Sequence, residues 1–149
     1  MPEMTQKEKY TEATIHALAG FQIIEEHLKM YIDYYYEAVR ALLKGQLSFQ
    51  YTREEINEAP LERLTNLFAK INANNDLVKR IRSLLKHRNE IAHGAFVHLY
   101  GPPRTDEQFK ADTTEFIIVA TKLDVIMKDI FNEALIITDI LGLSSTGFK

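Results

Sequence analysis

Apolar residues recur at steps of three and four along most of this chain, and that spacing predicts helices. From about Thr5 to Lys44, Phe21, Ile24, Leu28, Tyr31, Ile32, Tyr35, Val39 and Leu42 fall on one helical face. Gly45 is placed to stop this helix, with Lys44 favourable in its last turn. Thr52 followed by Glu55 has the form of a capping box and marks a short helical turn. Pro60 opens the next helix at its first turn, and Leu61, Leu64, Leu67, Phe68 and Ile71 give that helix one apolar face. Asn72 to Asn75 reads as a loop with Asp76 as the following N-cap. A third helix runs from Leu77 to about His93 or a little beyond, and Gly94 either ends it or is tolerated inside it. Gly101-Pro102-Pro103 is a break, and the polar stretch 101–113 reads as a surface loop. Thr113 or Thr114 then begins a closing helix whose seam is Phe116, Ala120, Leu123, Met127, Ile130, Ala134, Ile137 and Leu141, ended by Gly142. The pattern predicts an all-α fold, a four- to five-helix up-and-down bundle, with a core of about residues 5–142 and a frayed tail at 144–149.

The third helix departs from a simple amphipathic pattern. At about 100° per residue, Leu77, Ile81, Leu84, Leu85, Ile91, Ala92 and Ala95 form an apolar stripe, and Arg88 falls near its middle. An unpaired guanidinium in a packed core costs several kcal/mol. Arg88 is therefore expected to meet a carboxylate, reach a crevice or lie at an interface between chains. Beside that stripe, Arg82, Lys86, Asn89 and His93 follow each other by four, three and four residues and share a polar, cationic face.

Composition narrows the reading. The length of 149 residues fits one domain, and 46% apolar with 26% charged residues is ordinary for a globular chain. No cysteine is present, which removes disulfides, thiolate metal sites and Cys nucleophiles, and fits a cytoplasmic setting. The first residues lack the basic-then-apolar pattern of a secretory leader, and no apolar run approaches the roughly 20 residues of a membrane span. The net charge of −3 argues against coating nucleic acid with the whole surface. A local basic site remains, since Lys79, Arg80, Arg82, Lys86, His87 and Arg88 fall within ten residues.

These groups suit phosphodiester chemistry. Histidine exchanges protons near neutrality, arginine holds phosphate through a fork of donors, and asparagine orients a hydroxyl or the imidazole. No carboxylate cluster or histidine pair has metal-ligand spacing, so neither a metal nor another cofactor is expected. Arg88 and His93 lie about 7.5 Å apart along the axis and differ by about 140° in direction. One helix aims them poorly at a common atom. Two copies facing across a two-fold axis would bring both pairs to one cleft, which predicts a homodimer.

At these residues the sequence resembles the HEPN superfamily, whose hallmark is Arg, four to six residues, then His, usually with a polar residue after the Arg. Here the string is Arg88-Asn89-Glu90-Ile91-Ala92-His93, followed by Gly94, and the similarity in organisation covers roughly residues 15–142. The resemblance implies a four- or five-helix bundle that dimerises through the motif helices. It also implies a metal-independent endoribonuclease of toxin–antitoxin or phage-defence type, partnered by RNA and by an antitoxin or nucleotidyltransferase. By direct match Arg88, Asn89 and His93 are the catalytic candidates; Arg82, Lys86 and Lys79 are the candidates for RNA phosphate. Where members silenced by adenylylation carry Tyr two residues after the His, this chain has Ala95. Other members act as non-catalytic nucleotide- or RNA-binding sensor modules, and that alternative stands beside the enzyme.

Blander roles compete at each position. For Arg88 the competing reading is a bridge to a buried carboxylate, and for the basic cluster it is a solvated face. Glu90 reads as a solvent charge. His16, His27, His87 and His98 show no partner at useful spacing. Tyr31, Tyr34, Tyr35 and Tyr36 suit core or dimer packing more than base stacking. A plain structural dimer, with Arg88 as an interface ion-pair residue, is the third reading.

Overall fold

The computed structural model describes residues 2–142 and shows five helices and no strand among them. They are α1 (Gln6–Leu43), α2 (Arg53–Asn57), α3 (Leu61–Ile71), α4 (Asn75–Tyr100) and α5 (Asp106–Ile140). The all-α, up-and-down bundle expected from the periodicity is the architecture found. The frayed tail expected at 144–149 lies outside the described residues.

The two long helices form the spine, with α1 packed chiefly on α5 and also touching α3 and α4. The expected seam of α5 is observed, with Phe116, Leu123, Ile130, Ala134 and Ile137 buried. They meet Phe21, Ile24 and Leu28 of α1 in a common core. A Cβ added at Gly20 would lie 3.0 Å from Leu123 Cδ1, so glycine lets α1 approach α5 closely there. Gly20→Val is expected to lower stability by about 1–3 kcal/mol through overpacking. An unchanged urea midpoint would show that the two helices part at that level without cost.

Helix ends follow local chemistry. Thr5 caps α1 with a reciprocal box: its hydroxyl accepts from Glu8 N at 3.1 Å while Glu8 accepts from Thr5 N at 2.7 Å. Lys44 and Gly45 close α1 in left-handed conformation, at φ 50° and 76°. Thr52 caps α2 by accepting from Glu55 N at 3.3 Å.

Three boundaries depart from the sequence reading, and the choice left open at Gly94 is decided. Pro60 is the N-cap of α3 rather than a residue of its first turn. Asn74, not Asp76, caps α4, its Oδ1 accepting from Leu77 N at 3.1 Å. Asp76 instead sits in the first turn, where a carboxylate favours the helix dipole, and receives Arg80 Nε at 2.9 Å. Gly94 lies inside α4, which continues to Tyr100. The closing helix begins at Asp106, well before Thr113, because Thr105 and Gln108 form a second reciprocal capping box.

The α3–α4 turn is pinned from α5. Glu133 accepts from Asn72 Nδ2 at 3.2 Å and from Asn74 Nδ2 at 2.9 Å. Asn72 also donates to the Tyr31 hydroxyl of α1 at 2.9 Å. One carboxylate of α5 thus anchors the turn between the two helices that form the walls of the candidate site.

Candidate nucleic-acid interface

The buried stripe of α4 consists of Leu77, Val78, Ile81, Leu84 and Ile91. Leu85 and Ala95 are half-buried and Ala92 is exposed, so the expected stripe is narrower toward its end. Arg88 emerges from this stripe and meets two of its three expected fates together. Its Nη2 lies 3.6 Å from Glu25 Oε2 of α1, and 39% of its side chain remains exposed in a crevice. Glu25 is shared, since Lys29 Nζ lies 3.4 Å from its other oxygen.

The crevice is a groove of 560 Å³ between α3 and α4. From α4 come Arg82, Lys86, Arg88 and Asn89; from α3 come Glu62 and Asn66. Pro60, Leu61 and Leu85 supply its apolar surface. Arg82 Nη2 donates to Asn66 Oδ1 at 3.3 Å, which ties the two walls together. Four of the six residues singled out in the sequence therefore share one groove. Lys79 and His93 are exposed but do not line it. Each lies seven residues from Lys86, about 10.5 Å along the axis in opposite directions.

The basic cluster does not act as one patch. Arg80 is engaged by Asp76 and by Asp129 of α5, at 2.9 and 2.8 Å. His87 faces Glu90 and Glu115, 3.6 and 3.9 Å from its Nδ1, and Glu90 is exposed, as expected of a solvent charge. The cations facing the groove are Arg82, Lys86 and the Glu25-paired Arg88.

His93 is exposed on the same outer face of α4 as Arg82, Lys86 and Asn89. Beyond it that face turns apolar, with Phe96, Val97 and Tyr100 exposed by 70%, 42% and 77%. The Phe96 and Tyr100 rings lie 5.4 Å apart. Sequence reasoning passed over these three residues, although 93, 96, 97 and 100 follow helical spacing. The Tyr31–Tyr36 run behaves as packing: Tyr31 is buried edge-on to Phe68, and Tyr34, Tyr35 and Tyr36 lie half-buried against the core.

A second polar cluster also escaped the sequence. The buried Tyr10 hydroxyl is hydrogen-bonded to His98 Nδ1 at 2.9 Å. Asp112 Oδ2 lies 3.8 Å from the same nitrogen and accepts from Arg104 Nη2 at 2.7 Å. His98 thus has partners, contrary to the spacing argument, because they come from α1 and α5. Arg104 Nη1 is buried without a hydrogen-bond partner among the described residues, while the guanidinium stacks over Phe109 at 5.0 Å. Burial, assisted by the charge of Asp112, holds the Tyr10 hydroxyl above its ordinary pKa of 10.0. A pKa raised in the folded state stabilises the protein below pH 10 and loses that contribution as pH climbs through the raised value. As pH rises past 10.0, stability of the wild type should fall more steeply than that of Tyr10→Phe. Parallel curves in urea titrations would exonerate Tyr10.

No described helix is long and apolar enough to cross a membrane. Among the described residues no group of three or more His, Asp or Glu side chains is placed to hold a metal ion. Compared with protein-family models, curated proteins and solved structures, the chain matches none.

Proposed function

We propose that the protein is a HEPN-like, metal-independent endoribonuclease whose site is completed by a second copy of the chain. One observation carries the reading: on a single face of α4, His93 stands between a cationic groove and an uncovered aromatic stripe. The groove suits a phosphate backbone. The stripe of Phe96, Val97 and Tyr100 is the kind of exposed apolar surface that an interface covers. A second copy packed there would bring its own α4 to His93 and supply the Arg88 that one helix aims elsewhere.

In the proposed reaction an RNA 2′-hydroxyl attacks its adjacent phosphorus, and the bond from phosphorus to the 5′-oxygen breaks. His93 serves as general base for the 2′-hydroxyl or general acid for the departing oxygen. Arg88 stabilises the charge that develops on the phosphoryl oxygens, and Asn89 orients the reacting groups. Arg82, Lys86 and Lys79 hold neighbouring phosphates. The products are a 2′,3′-cyclic phosphate and a free 5′-hydroxyl. A toxin or phage-defence role in the cytoplasm, countered by an antitoxin or nucleotidyltransferase, is part of the same proposal.

The test is incubation of the purified protein with mixed cellular RNA and single transfer RNAs in EDTA. Fragments ending in 2′,3′-cyclic phosphate are expected. Intact RNA across that panel would remove the enzyme reading. The net charge of −3 and the Arg88–Glu25 pair favour one alternative, a module that binds RNA or a nucleotide without chemistry. In that case binding survives His93→Ala and weakens with Arg88→Ala.

A further inference from the structure

We infer that the α3–α4 groove seats one nucleotide unit of single-stranded RNA, with α4 contacting its phosphate and α3 reading its base. The choice of RNA rests on the proposed function; the division of labour between the two walls rests on the groove itself.

Its 560 Å³ lies within the range of small-ligand sites and suits a single nucleotide. The charges are segregated, with the cations and Asn89 on α4 and the carboxylate on α3. Arg82 and Lys86 stand one turn apart on α4, where they suit an anionic backbone. The wall from α3 has a different character: Glu62 and Asn66, also one turn apart, lie beside the apolar surface of Pro60, Leu61 and Leu85. A site built for phosphate alone gains nothing from Glu62, whose carboxylate repels the anion. A base supplies what that carboxylate needs, an N–H donor on its edge, together with an apolar face for Leu85 and the proline ring.

The Arg82–Asn66 hydrogen bond sets the polarity of the reader. Because Arg82 donates to Asn66 Oδ1, the amide nitrogen is left as the group Asn66 offers to a ligand. The α3 wall therefore presents an acceptor, Glu62, beside a donor, Asn66. That pair matches a base edge carrying a donor next to an acceptor and does not match inorganic phosphate. Lys86 lies about 10.5 Å along α4 from His93, far enough for the seated nucleotide and the scissile phosphodiester to be separate units of one strand. A strand along this face would hold a base in the groove while a phosphodiester a few units away reaches the histidine.

The experiment measures binding of labelled RNA hexanucleotides, one for each base, to full-length His93→Ala protein, which uncouples binding from turnover. Lys86→Glu on that background is expected to weaken all four by about tenfold or more, uniformly. Glu62→Gln and Asn66→Ala are expected to weaken binding unequally, by about threefold or more for at least one base. A nucleoside monophosphate should displace the label at lower concentration than inorganic phosphate. All three positions are exposed, so unchanged thermal unfolding is the entry condition for each variant. Equal effects of the α3 variants on every base, or no effect, would overturn the inference, as would phosphate competing as well as the nucleotide. Loss of base preference in these variants without cleavage by the wild type would leave the groove standing and remove the nuclease. Cleavage that is indifferent to Glu62 and Asn66 would do the reverse.

Discussion

Arg88→Ala and His93→Ala proteins should each lose about 10²–10⁴-fold of the RNA cleavage rate, the range expected for removing a charge-stabilising group or a proton-transfer group. His93→Ala should leave unfolding unchanged, since the side chain is exposed. Arg88→Ala leaves Glu25 with Lys29 as its partner, 3.4 Å away, so only modest destabilisation is expected. The sharper result comes from mixing the two inactive proteins and allowing subunits to exchange. If each site takes Arg88 from one copy and His93 from the other, a mixed dimer keeps one complete site. Half the dimers are mixed, so about a quarter of the wild-type rate should return. Mixed dimers that form and stay inactive would mean that the two groups do not act across the interface. Full activity in either single variant would end the proposal for that residue.

The largest expected stability effect comes from Phe68→Ala. This side chain is fully buried and meets Tyr31 edge-on at 4.8 Å between centroids. The 11-residue helix α3 is too short to persist alone, so its place depends on Leu61, Leu64 and Phe68. Truncating the ring should cost about 3–5 kcal/mol, against a total of about 5–15 kcal/mol for an ordinary domain. Because α3 is one wall of the groove, RNA binding should weaken in the same variant under conditions where most molecules remain folded. Urea unfolding followed by circular dichroism measures the first effect. A loss below about 1.5 kcal/mol would show that α3 is held by something other than this contact.

The helices were largely legible because their seams are periodic. Phe116 to Leu141 and Phe21 to Tyr31 repeat over many turns, and a repeated signal outweighs single ambiguous positions. Boundaries were less legible where two local signals competed. Gly101-Pro102-Pro103 and the polar residues after it read as loop, yet the Thr105–Gln108 capping box was present in the sequence and marks the true start of α5. Asp76 was favoured as a cap by residue type, but Asn74 was equally eligible, and its other hydrogen bond, to Glu133, comes from a distant helix.

The site was legible in part for a related reason. Arg82, Lys86, Arg88 and Asn89 lie on one helix, so spacing alone grouped them. Glu25, Glu62 and Asn66 come from other helices, and no spacing along the chain joins them to Arg88. His98 shows the same limit, with Tyr10 and Asp112 brought to it only by packing. The aromatic end of α4 was available to spacing arguments, but Phe96 and Tyr100 become informative only once they are seen to be uncovered.

The pairing of Arg88 with Glu25 also bears on which anions the site accepts. In the free protein the guanidinium already has a tethered carboxylate beside it, an internal competitor at high effective concentration. A simple anion offering one contact gains little by displacing it. A polyanion that engages Lys86 and Arg82 at the same time brings further contacts to the exchange, and Lys29 keeps the displaced Glu25 from being stranded. If the groove takes RNA as proposed, the ion pair would work as a filter, disfavouring isolated anions relative to a chain of them.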